Sequence, residues 1–197
     1  MSAFLALFDP FWVEKLKDCV FAAFNTPCCA VLIVWKGKAI YKIELAAEAE
    51  RRKFLLKIPH MIGSFHRPPT VLRKQIRRHL SGKGIPDYSA VKLNEEIGTP
   101  FERAVWNTVR KIPYGQTRTY GWVAAETGER KRARAVGQAM ANNPFPLVVP
   151  CHRVVASDGS LGGFSGGLEL KKALLDLERA VARRELPASA QLWHPDD

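Results

Sequence analysis

The sequence predicts a mixed fold, an α/β segment followed by a mostly helical one, and three observations carry that reading. Cys29 to Trp35 and Ala39 to Leu45 are rich in β-branched and aromatic residues and flank Lys36-Gly37-Lys38, the pattern of a hairpin. From Thr99-Pro100, a helix cap and first-turn pair, Phe101, Val105, Trp106, Val109 and Ile112 follow at helical spacing and read as core. Two shorter helices, Tyr120 to Thr127 and Lys131 to Ala141, are joined by Gly128-Glu129-Arg130. They make a helix-turn-helix pattern with a basic second helix.

Taken in chain order, Phe11, Trp12, Leu16, Val20, Ala23 and Phe24 recur at near-helical spacing, so residues 11 to 24 are expected to form a short amphipathic helix. After the hairpin, Glu48 to Ile58 is again helical in character, and Pro59 and Pro68-Pro69 punctuate a loop. Thr70 is placed to cap a helix that reaches about Leu80 and ends at Ser81-Gly82-Lys83-Gly84. An extended stretch near Tyr88 to Leu93 leads to Gly98, where the two parts meet. Residues 1–95 then form the α/β domain, 96–182 the helical domain, and 183–197, with Pro187 and Pro195, a fraying tail. Within the second part, Phe145 to Val149 reads as a buried strand or extended arm leading to Cys151.

Of 197 residues, 47% are hydrophobic and 25% charged, a soluble globular composition rather than a disordered one. Thirty Lys and Arg against 19 Asp and Glu give a net charge of +11, which favours a polyanionic partner. The charge clusters at Arg73, Lys74, Arg77, Arg78 and Lys83 and again at Lys131, Arg132 and Arg134; an anionic membrane surface would attract the same groups. No apolar stretch approaches the roughly 20 residues of a spanning helix. Asp9 and Pro10 also interrupt the apolar N-terminus, so an intracellular protein is expected, in the cytoplasm or in the nucleus of a eukaryote. Cys19, Cys28, Cys29 and Cys151 lack the spacing of a disulfide framework. Cys28 and Cys29 read as buried small apolar side chains. No paired ligand motif joins Cys19, Cys28 or Cys29 to His60, His66 or His79, so no metal is expected.

The chemistry gathers at Pro150-Cys151-His152-Arg153-Val154-Val155, preceded by Asn143-Pro144 and followed by Gly162-Gly163-Phe164-Ser165-Gly166-Gly167-Leu168. A thiol titrating near 8.5 is mostly protonated at neutral pH, so Cys151 needs a base or a positive field to act as a nucleophile, and His152 is the nearest base. Adjacency alone decides little, because neighbouring side chains on a strand face opposite ways. The glycines would let the backbone curl around a ligand, or form a flexible turn. On residue type alone, Glu178 reads as a solvated helix-face charge, Tyr120 as an amphipathic core residue, and Asn142 and Asn143 as turn residues. Ala133, Ala135, Gly137 and Ala139 suit either tight helix packing or close approach to another surface.

That string, together with Gly98-Thr99-Pro100-Phe101, Val105-Trp106, Ile112-Pro113-Tyr114-Gly115-Gln116-Thr117, Tyr120 and Arg134-Ala135-Val136-Gly137, resembles the O6-alkylguanine-DNA alkyltransferases, also called methylated-DNA-protein-cysteine methyltransferases. The likeness runs from about Leu72 to Glu178. It implies a ribonuclease-H-like N-terminal α/β domain and a winged-helix-like C-terminal domain. It also implies a single-turnover transfer of an alkyl group, chiefly methyl, from O6-alkylguanine in flipped-out DNA to Cys151, with O4-alkylthymine as a secondary substrate. The partner would be double-stranded DNA carrying alkylated bases; no cofactor and no membrane are expected, and the protein would act as a monomer.

Residue by residue, the resemblance makes Cys151 the nucleophile and has His152 deprotonate it through a bound water. Glu178, rather than Asp176, would orient the imidazole, and Asn143 would support the hinge. Tyr120 would donate to guanine N3, and Arg134 would fill the space vacated in the duplex. Met140 would flank the base, and the carbonyls of Val154 and Cys151 would accept from its exocyclic amine. Ser165 would donate near O6. Phe164, where many relatives carry tyrosine, keeps an aromatic wall without the hydroxyl. Lys131, Arg132, Ala133, Arg134 and Gly137 would lie along the minor groove. Three rivals remain: a reader of alkylated DNA without chemistry, a transcription regulator, and a Cys-His hydrolase. Cys151 opposes the first, no sensor domain supports the second, and no oxyanion-hole motif supports the third.

Overall fold

The computed structural model describes residues 19–47, 64–65 and 70–187. Its first part is a sheet in the order β3-β2-β1-β4, built from β1 (Val20–Asn25), β2 (Cys29–Lys36), β3 (Ala39–Ala47) and β4 (Ser64–Phe65). β1, β2 and β3 are an antiparallel meander, and β4 runs parallel to β1. The expected hairpin is β2–β3, closed where Lys36 faces Ala39, with Gly37 at φ 57. That left-handed value carries little steric cost only for glycine.

β1 corrects the helix expected over residues 11 to 24: Val20, Ala23 and Phe24 pair with Trp35, Leu32 and Val31 of β2. Cross-strand pairing with a strongly β-forming neighbour outweighs a local 3.6-residue pattern. Residues 11–18 of that prediction, like the helix expected at Glu48 to Ile58, lie outside the described residues.

β2 is buried on both faces, hence its unbroken apolar run. Cys29, Val31, Ile33 and Trp35 join the core shared with the helices, whereas Ala30, Leu32 and Val34 pack with Phe21 and Tyr41 on the other face. Cys28 is half-buried rather than buried.

Helix α1 (Thr70–Leu80) already includes Thr70 and buries Leu72, Ile76, His79 and Leu80. The strand expected near Tyr88 to Leu93 reduces to a single bridge between Leu93 and Ile40. Ile40 N–H donates to Lys92 O at 2.8 Å, Asn94 N–H donates to Ile40 O at 2.9 Å, and Ile43 N–H donates to Pro144 O at 2.8 Å. These bonds occupy polar groups on the outer edge of β3, a usual way to blunt an exposed edge.

Helix α2 (Pro100–Val109) opens with a reciprocal capping box. Thr99 Oγ1 accepts from Glu102 N–H, and Thr99 N–H donates to Glu102 Oε2 at 2.8 Å. Strand β5 (Arg118–Thr119) runs directly into α3 (Tyr120–Glu126), capped by Thr119. Helix α4 (Ala133–Ala141) starts two residues later than expected, with Arg132 at its N-cap making no side-chain cap bond. Trp106 Nε1–H donates to Ala139 O at 2.8 Å, tying α2 to α4, and its ring meets Phe145 edge-on at 5.9 Å.

Phe145 to Val149 is buried but is no strand. It folds into a turn bridged from Pro146 to Val149, with Leu147 at φ 73. Pro144, Pro146 and Pro150 remove the N–H groups a ladder would need. One turn of 3₁₀ helix, Cys151–Arg153, then leads into β6 (Val154–Val155), which pairs parallel to β5 with Thr119 opposite Val155. Helix α5 (Leu168–Glu185) closes the described chain, so Arg183 to Glu185 are helical rather than frayed, and residues 188–197 lie outside the described part.

Replacing Trp106 with alanine removes both the tie to α4 and a large core side chain. The expected loss is about 3–5 kcal/mol in denaturant unfolding, and an unchanged midpoint would show that α2 and α4 are held by something else.

Candidate active site

The β5–β6 pairing sets the site, because Tyr120 begins immediately after one strand and Cys151 to Arg153 immediately precedes the other. Beneath them lies Glu178 on α5. Lys171, Leu174, Leu175 and Glu178 all fall on the buried stripe of that helix, at offsets of three, four and seven. Glu178, His152, His79 and Lys171 are each 0% exposed.

An ionised carboxyl stripped of water needs donors on both oxygens. Glu178 Oε1 lies 2.7 Å from His152 Nε2 and 2.7 Å from His79 Nε2, and accepts from Arg153 Nη2 at 2.9 Å. Oε2 accepts from Arg153 Nε at 2.8 Å and from Gly115 N–H at 3.1 Å. Gly115 sits at φ 78, and a Cβ there would meet the Ala182 Cβ at 2.6 Å, so only glycine can bring this N–H so close. Burial works to raise the Glu178 pKa, but the facing positive charge of Arg153, with hydrogen bonds from both imidazoles, holds it well below the ordinary range.

The tautomers follow. A carboxylate only accepts, so His152 and His79 both carry their proton on Nε2. Burial pulls the His152 imidazole down to about 4, so the ring is neutral at pH 7 with its lone pair on Nδ1. That atom is buried and, with the Tyr114 hydroxyl, lacks a hydrogen-bond partner among the described residues. His152 is therefore an oriented, neutral base.

Cys151 is buried. Burial raises its thiol pKa, opposed by a hydrogen bond from Asn143 and by the positive charge of Lys171. Asn143 also fixes the turn that carries the cysteine: its Nδ2 donates to Val149 O at 2.9 Å, and its Oδ1 accepts from Phe145 N–H at 3.0 Å. Lys171 Nζ donates to Val154 O at 2.7 Å and also to Leu161 O. Burial lowers its pKa to about 8, opposed by the nearby Cys151. Tyr120 is raised, first by burial and then by the charge of Cys151, and Gly162 lies so close that a Cβ would reach its hydroxyl at 2.7 Å.

The fold thus gathers Cys151, His152, Glu178, Asn143, Tyr120 and the Val154 carbonyl. Met140 is buried at the end of α4, and Phe164 packs at the margin of the core. Ser165 is exposed on the glycine loop. Lys131, Arg132 and Arg134 are exposed at the start of α4, with Ala133 and Gly137 half-buried beside them. Arg132 is engaged, 4.5 Å over the Phe101 ring and 3.2 Å from Glu129.

Three contributors escaped the sequence reading: Arg153, Lys171 and His79. Helical spacing offered the signal for the last two, since Lys171 shares the stripe of Glu178 and His79 that of Leu72 and Ile76. Among the described residues, His79, His152 and Glu178 are close enough to share a metal ion, their ligand atoms lying within 4.8 Å. Direct imidazole–carboxylate hydrogen bonds and the Arg153 guanidinium already occupy that carboxylate.

Comparison with known proteins bears on this geometry. Residues 100–180 match the family model of the 6-O-methylguanine DNA methyltransferase, DNA binding domain. A methylated-DNA-protein-cysteine methyltransferase of Methanosarcina acetivorans is 51% identical over 88 residues, 45% of this chain and 56% of that protein. The chain thus spans a little over half the length of the curated relatives it first matches. The Mycobacterium tuberculosis O6-methylguanine methyltransferase crystal structure superimposes with a TM-score of 0.69 at 29% identity, covering 86% of this chain and 96% of that one. A Mycobacterium tuberculosis OGT structure in complex with DNA gives a TM-score of 0.68 at 29% identity, over 87% and 98% of the two chains. No helix of the described residues is long and apolar enough to cross a membrane.

The two buried imidazoles give stability a pH dependence of defined sign. Unfolded, each takes up a proton near 6.5; folded, His152 resists until about 4, and burial lowers His79 as well. Between those limits the unfolded chain binds more protons, so stability is full above 6.5 and falls as pH drops toward 4, by up to about 1.4 kcal/mol per pH unit for His152, with His79 acting in the same direction. Urea midpoints measured across that window should slide downward with acid, and a flat series would contradict the neutral assignment.

Proposed function

We propose, on the premise that this chain belongs through residues 100–180 to the 6-O-methylguanine DNA methyltransferase family, that it is a DNA repair enzyme which takes an alkyl group, chiefly methyl, from O6-alkylguanine onto Cys151 in a single turnover. The observation that carries the reading is the neutral His152 ring: its Nε2–H is committed to a buried carboxylate, leaving Nδ1 basic and unpartnered next to Cys151 in the chain.

His152 Nδ1 accepts the thiol proton through one water, and the Glu178 carboxylate stabilises the imidazolium that results. The sulfur attacks the alkyl carbon in line with O6. A sulfur–carbon bond forms, the carbon–O6 bond breaks, and the electron pair leaves with guanine. Tyr120, donating to guanine N3, offsets the developing negative charge, and a proton returned to the base completes the exchange. The thioether is a poor leaving group, so the protein is consumed.

A thiol held behind a helix that enters the minor groove reaches a major-groove O6 only after the nucleotide is rotated out. Arg134, exposed on α4, fills the gap, while Lys131 and Arg132 reach phosphates and Ala133 and Gly137 allow close approach. Met140, Phe164 and Ser165 line the base pocket with the Val154 and Cys151 carbonyls, and O4-alkylthymine is a secondary substrate. The sheet order β3-β2-β1-β4 with β4 parallel to β1 supports a ribonuclease-H-like reading of residues 1–95. The three helices α2 to α4 with the β5–β6 pair support a winged-helix-like reading of 96–182. In this reading the protein acts as a monomer in the cytoplasm, on double-stranded DNA and without a cofactor.

Incubation with duplex DNA containing O6-methylguanine should add one methyl mass to the peptide carrying Cys151, and Cys151→Ala should bind DNA without transfer. Continuous turnover with unmodified Cys151 would point to a hydrolase, and binding with no adduct to a reader. Arg134→Ala should slow transfer from duplex DNA by about tenfold, roughly 1.4 kcal/mol, with much less effect on a free O6-alkylguanine base. Equal losses on the two substrates would refute the gap-filling role.

A further inference from the structure

We infer that His79, on α1, is a positioning residue for the transfer: it holds the Glu178 carboxylate in the rotation that keeps His152 aligned, and so delivers the contribution of the first half of the chain to the reaction. The inference rests on the reading of Cys151, His152 and Glu178 as the reacting set.

The stripe it occupies is otherwise apolar, with Leu72, Ile76 and Leu80 as buried neighbours, so packing alone would be served by leucine. Burying an imidazole nitrogen without a partner is costly, and at His79 both nitrogens are partnered. Here they are satisfied in one sense only. Nε2–H donates to Glu178 Oε1 at 2.7 Å, the same oxygen that His152 uses, so Nδ1 is left to accept from the Tyr88 hydroxyl at 3.2 Å. Tyr88 is itself anchored, since Arg110 Nη2 donates to its carbonyl at 2.9 Å and to Val91 O at 2.8 Å. The two imidazole centroids stand 6.0 Å apart with their planes at 55°, and each Nε2 lies 2.7 Å from Oε1. Arg153, on the 3₁₀ turn, donates to both oxygens and Gly115 N–H donates to Oε2, so the freedom left to the carboxylate is a tilt that carries Oε1 toward or away from His152. A second imidazole donor on Oε1 removes that freedom, and with it the misorientation of His152 Nε2 that would shift the Nδ1 lone pair.

The test compares single-turnover methylation of Cys151 by a duplex with one O6-methylguanine in His79→Gln, His79→Asn and His79→Leu, with thermal unfolding measured on each. Glutamine puts an N–H where Nε2 stands; asparagine reaches only as far as Nδ1 and faces Tyr88. Glutamine should keep the rate within about threefold of the unaltered protein, while asparagine and leucine lose about tenfold or more beyond any loss of folded fraction. If leucine does not fold, the glutamine-to-asparagine ratio decides. Folded variants that all react alike, or glutamine and asparagine falling together, would overturn the inference. Should the unaltered protein transfer no methyl, the repair reading fails. The same variants are then compared by alkylation of Cys151 with iodoacetamide, where the same ranking upholds the role of His79 and equal rates remove it.

Discussion

The constraint on which the rest of this structure depends is the burial of one carboxylate. Glu178 is ionised and wholly shielded from water, a state that costs several kcal/mol unless donors replace the lost hydration. Its donors come from α1, from the tight turn before β5, and from the 3₁₀ turn that carries the cysteine. Each must arrive in register, and the requirement explains local oddities that have no other evident purpose: the left-handed Gly115, the buried Arg153, and a histidine on an apolar stripe.

The same arrangement separates readiness from reactivity. Burial holds the Cys151 thiol above its ordinary pKa, so at rest the sulfur is largely a thiol rather than a standing thiolate. A neutral imidazole with a fixed tautomer follows it in the chain, and Lys171 donates to the carbonyls of Val154 and Leu161. A buried thiol of raised pKa is less open to oxidants and electrophiles than an exposed thiolate.

Much of this was legible in the sequence, and where it was not the reason is physical. The hairpin, the capped helix at Thr99-Pro100 and the paired helices were readable because their signals are local: β-branched runs, a cap, a turn. The strand Val20–Asn25 was misread because its apolar residues fit a helical period, and only pairing with β2 decides between the two. Phe145 to Val149 was read as extended because its apolar run outweighed three prolines, which in fact forbid a ladder. At the site, Cys151, His152 and Glu178 were named through a motif held in common with a family, whereas His79 lies 99 residues from Glu178 and announces itself only by interrupting an apolar stripe. Long-range partners of a buried charge leave almost no local trace.

The order of residues around that charge has a consequence for biosynthesis. His79, Gly115, His152 and Arg153 all precede Glu178 in the chain, so a ribosome moving from N- to C-terminus releases every donor before the acceptor they share. A nascent chain halted anywhere short of α5 carries the sulfur but no oriented base. The buried network can therefore close only after translation has passed Glu178, partway along α5.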